Sequence, residues 1–172
     1  SLGGVVSQTT KRGTNEFQSG SSIYWTPGSL RAKTRNTVYS NPLEPSSLGT
    51  VRSVNAEEET GEWTANVWAS GALMKDKLFA FALIGYSEHE EDRWGNVTQA
   101  NNTNDETERP SWLVKLDWHI NDANLFELTG FSDEEETTSK VYLNTLGAAN
   151  RLGLIGTDVN SGMQRYSFGI PQ

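Results

Sequence analysis

Ser111-Trp112-Leu113-Val114-Lys115-Leu116-Asp117-Trp118-His119-Ile120 is the stretch whose reading decides the fold. Trp112, Val114, Leu116, Trp118 and Ile120 recur at every second residue, with Lys115, Asp117 and His119 between them and Leu113 as the exception. A period of two places the apolar set on one face of a β-strand and the charged set on the other. Asn121-Asp122-Ala123 reads as a tight turn and Asn124 to Ser132 as the returning strand. Trp63 to Leu73 alternates in the same way, with Trp68 joining Thr64, Asn66 and Ser70 on the polar face. Lys75-Asp76-Lys77 makes a second tight turn into the strand Leu78 to Tyr86. Phe17 to Trp25 alternates loosely, Gly3 to Thr10 leans towards β, and Arg165 to Ile170 is strand-like. The best helical candidate, Val141 to Leu154, has leucines at 143, 146, 152 and 154 but is interrupted by Gly147 and Gly153. The expected class is all-β, with antiparallel up-and-down strands.

The connections carry a rhythm. Turns of about three residues alternate with long polar stretches at about 27–61, 88–110 and 133–164. Transmembrane β-barrels have short turns on one side and long loops on the other, and they cross with tilted strands of about 9–11 residues. Trp63–Leu73 and Trp112–Ile120 fit that length. Trp63, Tyr86 and Trp112 stand at the long-loop ends, where an aromatic girdle belongs. Fifteen of the 22 acidic residues lie at or beyond those same ends, where water solvates them. The pattern predicts part of a transmembrane β-barrel.

The cost of a charge in lipid predicts which face is which. A three-residue turn at 121–123 pairs Ile120 with Asn124, so that Phe126 and Leu128 join Trp118 and Leu116. A two-residue turn would instead put Glu127 in lipid, where a charge near the midplane costs about 2–4 kcal/mol for Arg or Lys and less for Glu. Glu127, Asp117 and Lys115 are therefore expected on the interior face. A three-residue turn at Lys75–Lys77 would send Leu73, Phe79, Phe81 and Leu83 outward and Ala80 and Ala82 inward. The expected lipid-facing set is Phe79, Phe81, Leu83, Trp112, Val114, Leu116, Trp118, Phe126 and Leu128.

Composition narrows the function. A net charge of -8 without a basic cluster disfavours nucleic acid. Zero cysteines exclude disulfides, cysteine zinc sites and thiol chemistry. Mean hydropathy is -0.58, and the longest nearly apolar run, Leu78–Tyr86, is about half of a spanning helix. No enzyme constellation is evident. His89 lacks a second histidine four residues on, His119 is isolated on a strand, and no serine sits in a Gly-x-Ser-x-Gly setting. No cofactor is expected. Acids in the long connections, Glu90, Glu91, Asp92, Asp133, Glu134 and Glu135, are candidates for ligand or cation contact, but they lack any fixed ligand spacing. Six tryptophans suit a sugar site, although Trp63, Trp112 and Trp118 fit a lipid face or girdle better.

Two stretches resemble a known family. Gly3-Gly4-Val5-Val6-Ser7-Gln8-Thr9-Thr10-Lys11-Arg12-Gly13-Thr14-Asn15-Glu16-Phe17 is similar to the plug-to-barrel junction of TonB-dependent outer-membrane receptors, most of all their Oar-like branch. Ser70-Gly71-Ala72-Leu73-Met74-Lys75-Asp76-Lys77-Leu78-Phe79-Ala80-Phe81 resembles the first periplasmic hairpin of that branch. Ser7 and Gln8 stand where more apolar residues are common, and no family pattern is evident after Glu136. The resemblance implies a fragment of a large active transporter in the bacterial outer membrane, a plugged 22-stranded barrel. Residues 1–14 would end the plug, with Lys11, Arg12, Gly13, Thr14 and Asn15 at the junction, and residues 15–172 would begin the barrel wall. Implied partners are outer-membrane lipid, the TonB complex through a preceding part of the chain, and a small solute or peptide ligand. Two other readings stay open: a soluble all-β binding module of the carbohydrate-binding kind, and a small outer-membrane barrel with an adhesin or structural role.

Overall fold

The computed structural model describes residues 13–98, 101–145, 151–161 and 165–169. The expected strand Gly3–Thr10 and the junction residues Lys11 and Arg12 lie outside them. The strands are β1 (Gln18–Thr26), β2 (Thr37–Val38), β3 (Val51–Ser53), β4 (Glu59–Met74), β5 (Leu78–Arg93), β6 (Asn101–Asn121), β7 (Asn124–Asp133), β8 (Glu136–Leu143), β9 (Gly153–Ser161) and β10 (Arg165–Gly169). The protein is all-β and antiparallel, as its alternation predicts. Among the described residues there is no α-helix. The helix expected over Val141–Leu154 is corrected: β8 runs to Leu143, the Leu152 N–H bonds back to the Leu143 carbonyl at 2.9 Å, and β9 starts at Gly153.

The main sheet runs β1-β4-β5-β6 and then divides along the length of β6. Ser111 to Asn121 pairs with β7, and Asn101 to Glu108 pairs with β8. β10 continues outward from β7, which makes the sheet six strands wide at that level; β9 continues from β8, and beyond Thr26↔Glu62, where β1 ends, that level is five strands wide. It is an open up-and-down meander among the described residues.

Much of what reads as loop is paired strand. β5 has 16 residues and β6 has 21, and their ladder continues through Glu88↔Glu108 to Arg93↔Thr103. The stretch 133–164 likewise contains β8 and β9. These hairpin arms carry polar residues on both faces, so they show no hydrophobic period even though they pair continuously as strands. Only 27–58 lacks long strands, and it is pinned at its tip. Ser53 bridges Asn96, the Val54 N–H donates to the Gly95 carbonyl, and the Val97 N–H donates to the Arg52 carbonyl. Val54 and Val97 are both buried.

Facing is set at the two short turns. At the second, Trp118 pairs with Phe126 and Leu116 with Leu128, as expected, although the turn closes as Asn121↔Asn124 with Ile120 bulged. At the first, the Lys77 N–H bonds the Met74 carbonyl, and Asp76 takes the left-handed conformation (φ 58°). Met74 pairs with Leu78, but the next pair is Ala72↔Phe79, which leaves Leu73 as an extra residue. One bulged residue reverses the parity of everything beyond it. The expectation for Phe79, Phe81 and Leu83 is therefore corrected. They share a face with Ala72, Ser70 and Trp68 and with Asp117, Lys115 and Leu113. Ala80, Ala82 and Ile84 take the other face, with Leu116, Val114 and Trp112.

Exposure divides with the faces: Phe81 is 6% exposed, against 60% for Val67 and 68% for Ile84. Because the chain has no native cysteine, single cysteines report facing without background. Val67→Cys and Ile84→Cys should react with an apolar maleimide that partitions into the micelle at least tenfold faster than Ser70→Cys and Phe81→Cys in detergent. The reverse order would refute the bulged register.

Candidate functional site

The two stretches that carry the family resemblance meet. The Asn15 side-chain amide donates to the Asp76 carboxylate, and the Asp76 N–H donates to Asn15 Oδ1 at 2.9 Å. This clasp satisfies the backbone of the left-handed turn residue and ties the segment before β1 to the β4–β5 turn. Gly13 lies against the same hairpin. A Cβ there would stand 2.8 Å from the Ala80 carbonyl oxygen and 3.0 Å from that of Gly71, so only glycine permits the approach. Thr14 holds the bend through a bond from its hydroxyl to the Glu16 carbonyl at 3.1 Å.

One face of the sheet is lined by ring contacts and buried ions. Trp68 stacks on Phe81 with centroids 6.2 Å apart, and its indole covers Gly20, where a Cβ would sit 2.7 Å away. Phe79 meets His119 edge to face at 5.8 Å. Lys115 Nζ lies 3.6 Å from Asp117 Oδ1 and 3.6 Å from Glu127 Oε1. Lys115 and Asp117 are both buried. The three charges expected on the interior face thus form one cluster, which alternation alone places only on a common side.

The other face reads very differently. From the long-loop end, its residues are Trp63, Ala65, Val67 and Ala69 on β4 and Tyr86, Ile84, Ala82, Ala80 and Leu78 on β5. β6 adds Pro110, Trp112, Val114, Leu116 and Trp118, and β7 adds Ser132, Gly130, Leu128 and Phe126. None is charged. Trp63 and Tyr86 pack at 5.2 Å near one margin, while Trp118 and Phe126 pair at the other. Just beyond the first margin the same face turns acidic, with Glu88 opposite Glu108 and Glu90 opposite Glu106.

Four of the six acids expected to contact a ligand or cation have side-chain partners within the protein. Glu90 accepts from Asn104 at 3.1 Å, Glu91 is bonded by Arg93, and Glu135 takes Arg109 at 2.7 Å. Asp92 is held by Arg151, whose guanidinium lies 4.8 Å over Trp94 and 4.4 Å over Tyr142 and also donates to Asn102 at 2.8 Å. Asp133 lies in β7 opposite Ser111, and the Glu134 N–H donates to the Pro110 carbonyl. Among the described residues, no group of three His, Asp or Glu is placed to hold a metal ion. The arginines that organise these acids sit far from them in sequence or among runs of like character, which is why residue order did not reveal them.

Two outcomes follow from this geometry. Lys115→Met leaves two buried carboxylates facing each other and should cost about 3–5 kcal/mol. Adding Asp117→Asn and Glu127→Gln should restore most of that loss in a denaturant titration. In the outer hairpin, the bond from Arg93 holds the Glu91 carboxyl below its ordinary value of 4.5, against the opposing pull of burial. A depressed acid stabilises the fold above its unfolded value, and the contribution is lost as pH falls through the folded value. Protection of the amides at 88–93, taken relative to the intrinsic exchange rate at each pH, should fall on going from pH 6 to pH 3, and Glu91→Gln should flatten that dependence.

No protein-family model matches the chain, and neither a curated protein nor a solved structure matches it.

Proposed function

We propose that the chain forms part of the wall of an outer-membrane β-barrel receptor of the TonB-dependent kind, working in energy-coupled uptake of a nutrient. The observation that carries this reading is the uncharged face shared by β4, β5, β6 and β7. On β5 it runs from Leu78 to Tyr86 before the first charge at Glu88. Nine strand residues at about 3.3 Å each, tilted by about 40°, rise about 23 Å, close to the height of about 25 Å of the apolar band on such barrels. Aromatic residues near both margins and carboxylates beyond one of them fit the interfaces of a bilayer.

The clasp between Asn15 and Asp76 supports the assignment of residues 13–15 to a plug junction, because it anchors that segment to a short turn at the end opposite the acidic arms. On this reading the face with Trp68, Phe81, Lys115 and Asp117 lines the lumen and meets the plug. The long arms stand outside the cell and capture a solute or peptide, and the TonB complex acts through a preceding part of the polypeptide.

Arginine substitution tests the membrane assignment. Val114→Arg, at mid-band, should lower stability in phosphatidylcholine bilayers by about 2–4 kcal/mol. Thr138→Arg, out on the acidic arm, should have little effect. Equal effects, or a chain recovered from cells without detergent, would refute the reading.

A further inference from the structure

The acidic arms and the aromatic margin meet at a cleft that the transport reading does not use. Trp25 pairs directly with Trp63 across β1 and β4, and one step further out Gly61 pairs with Glu90. At that step every other strand on this face presents a side chain, and Gly61 presents none. The missing side chain leaves a recess floored by Gly61 and closed on one side by the Pro27–Gly28 bend. Two adjoining hollows of about 230 Å³ and 300 Å³ share Gly28, Gly61 and Glu90. The lower one is walled by both tryptophans, Glu88 and Glu90, and the upper one extends to Glu59 and Asp92.

We propose that this cleft binds an amino sugar. Indole faces present a broad apolar surface suited to the C–H face of a pyranose ring. The carboxylates of Glu88 and Glu90 stand one strand away, where they accept hydrogen bonds from ring hydroxyls and from an ammonium. Glu90 already takes one bond from Asn104, and a carboxylate offers about four acceptor positions. The recess opens on the uncharged face just beyond its aromatic margin, so the sugar could come from a glycolipid headgroup or from free saccharide. The cleft stands on its own geometry and does not rest on the transport reading.

Gly61 also supplies a clean test. Its φ is not positive, and a Cβ there would have no neighbour closer than 3.8 Å, so Gly61→Val fills the recess without displacing the backbone. The 172-residue chain, folded in detergent, is titrated calorimetrically with tri-glucosamine and, as a cation without a ring, with spermidine. A parallel arm measures flotation with phosphatidylcholine vesicles, with and without a glucosaminyl diacylglycerol. The expected result is saturable tri-glucosamine binding, weakened at least tenfold by Trp25→Ala and by Gly61→Val. Flotation favoured by the glucosaminyl lipid would assign the sugar to a headgroup, and equal flotation would assign it to free saccharide. Spermidine binding as tight as that of tri-glucosamine, no saturable heat, or affinity unchanged in both variants would overturn the proposal. Failure to float on any vesicle while tri-glucosamine still binds would count against the membrane assignment alone.

Discussion

A β-strand sends successive side chains to opposite faces, and the rest of this structure depends on that constraint. Four long antiparallel strands lie side by side, so a single choice of register decides whether charges and apolar groups sort or mix. Here they sort. Lys115, Asp117 and Glu127 share one face, and Val67, Ile84, Val114 and Leu128 share the other. The Leu73 bulge makes this possible on β4 and β5. Without it, Phe81 would move to the same side as Val67, and the two faces would exchange their large and small residues across half the sheet.

The sorted sheet has an unusual balance of burial. Among the described residues the buried apolar side chains are few, Phe81 in the sheet and Val54 and Val97 beside it, against a larger polar set with Lys115, Asp117, Ser70 and Ser132. Large apolar side chains such as Val67, Leu73 and Ile84 remain exposed. A water-soluble domain gains stability from the opposite arrangement, since removing apolar area from water is the main favourable term in folding. An apolar solvent on the uncharged face, as the proposed barrel-wall reading supposes, would reconcile the two. The polar arms beyond that uncharged face hold together by other means: the backbone ladder, the Arg93 and Arg151 ion pairs, and the backbone bonds of Val54 to Gly95 and Val97 to Arg52.

The alternation at Trp112–Ile120 was enough to read the class of the protein, the short turns and the side taken by Phe126 and Leu128, because burial cost acts residue by residue along a strand. The same local argument gave the wrong side for Phe79, Phe81 and Leu83. Both faces of that strand are apolar, so neither register exposes a charge and cost does not discriminate. The polar arms at 88–110 read as loop in the sequence because strands solvated on both faces carry no period. Asn15 and Gly13 stood out in the sequence only through a family likeness, since their partners Asp76, Gly71 and Ala80 lie some sixty residues away.

Sequence by itself determined what each strand is made of: its period, its length and where its charges lie. Those properties follow from the short-range geometry of the backbone and from the transfer cost of single side chains. Tertiary structure alone decided which strands face which way together, where arginine meets carboxylate, and that a glycine at position 61 leaves a hollow between two tryptophans and two glutamates. These depend on a one-residue bulge and on contacts across the sheet, and pairwise geometry of that kind has no signature in the order of residues along the chain.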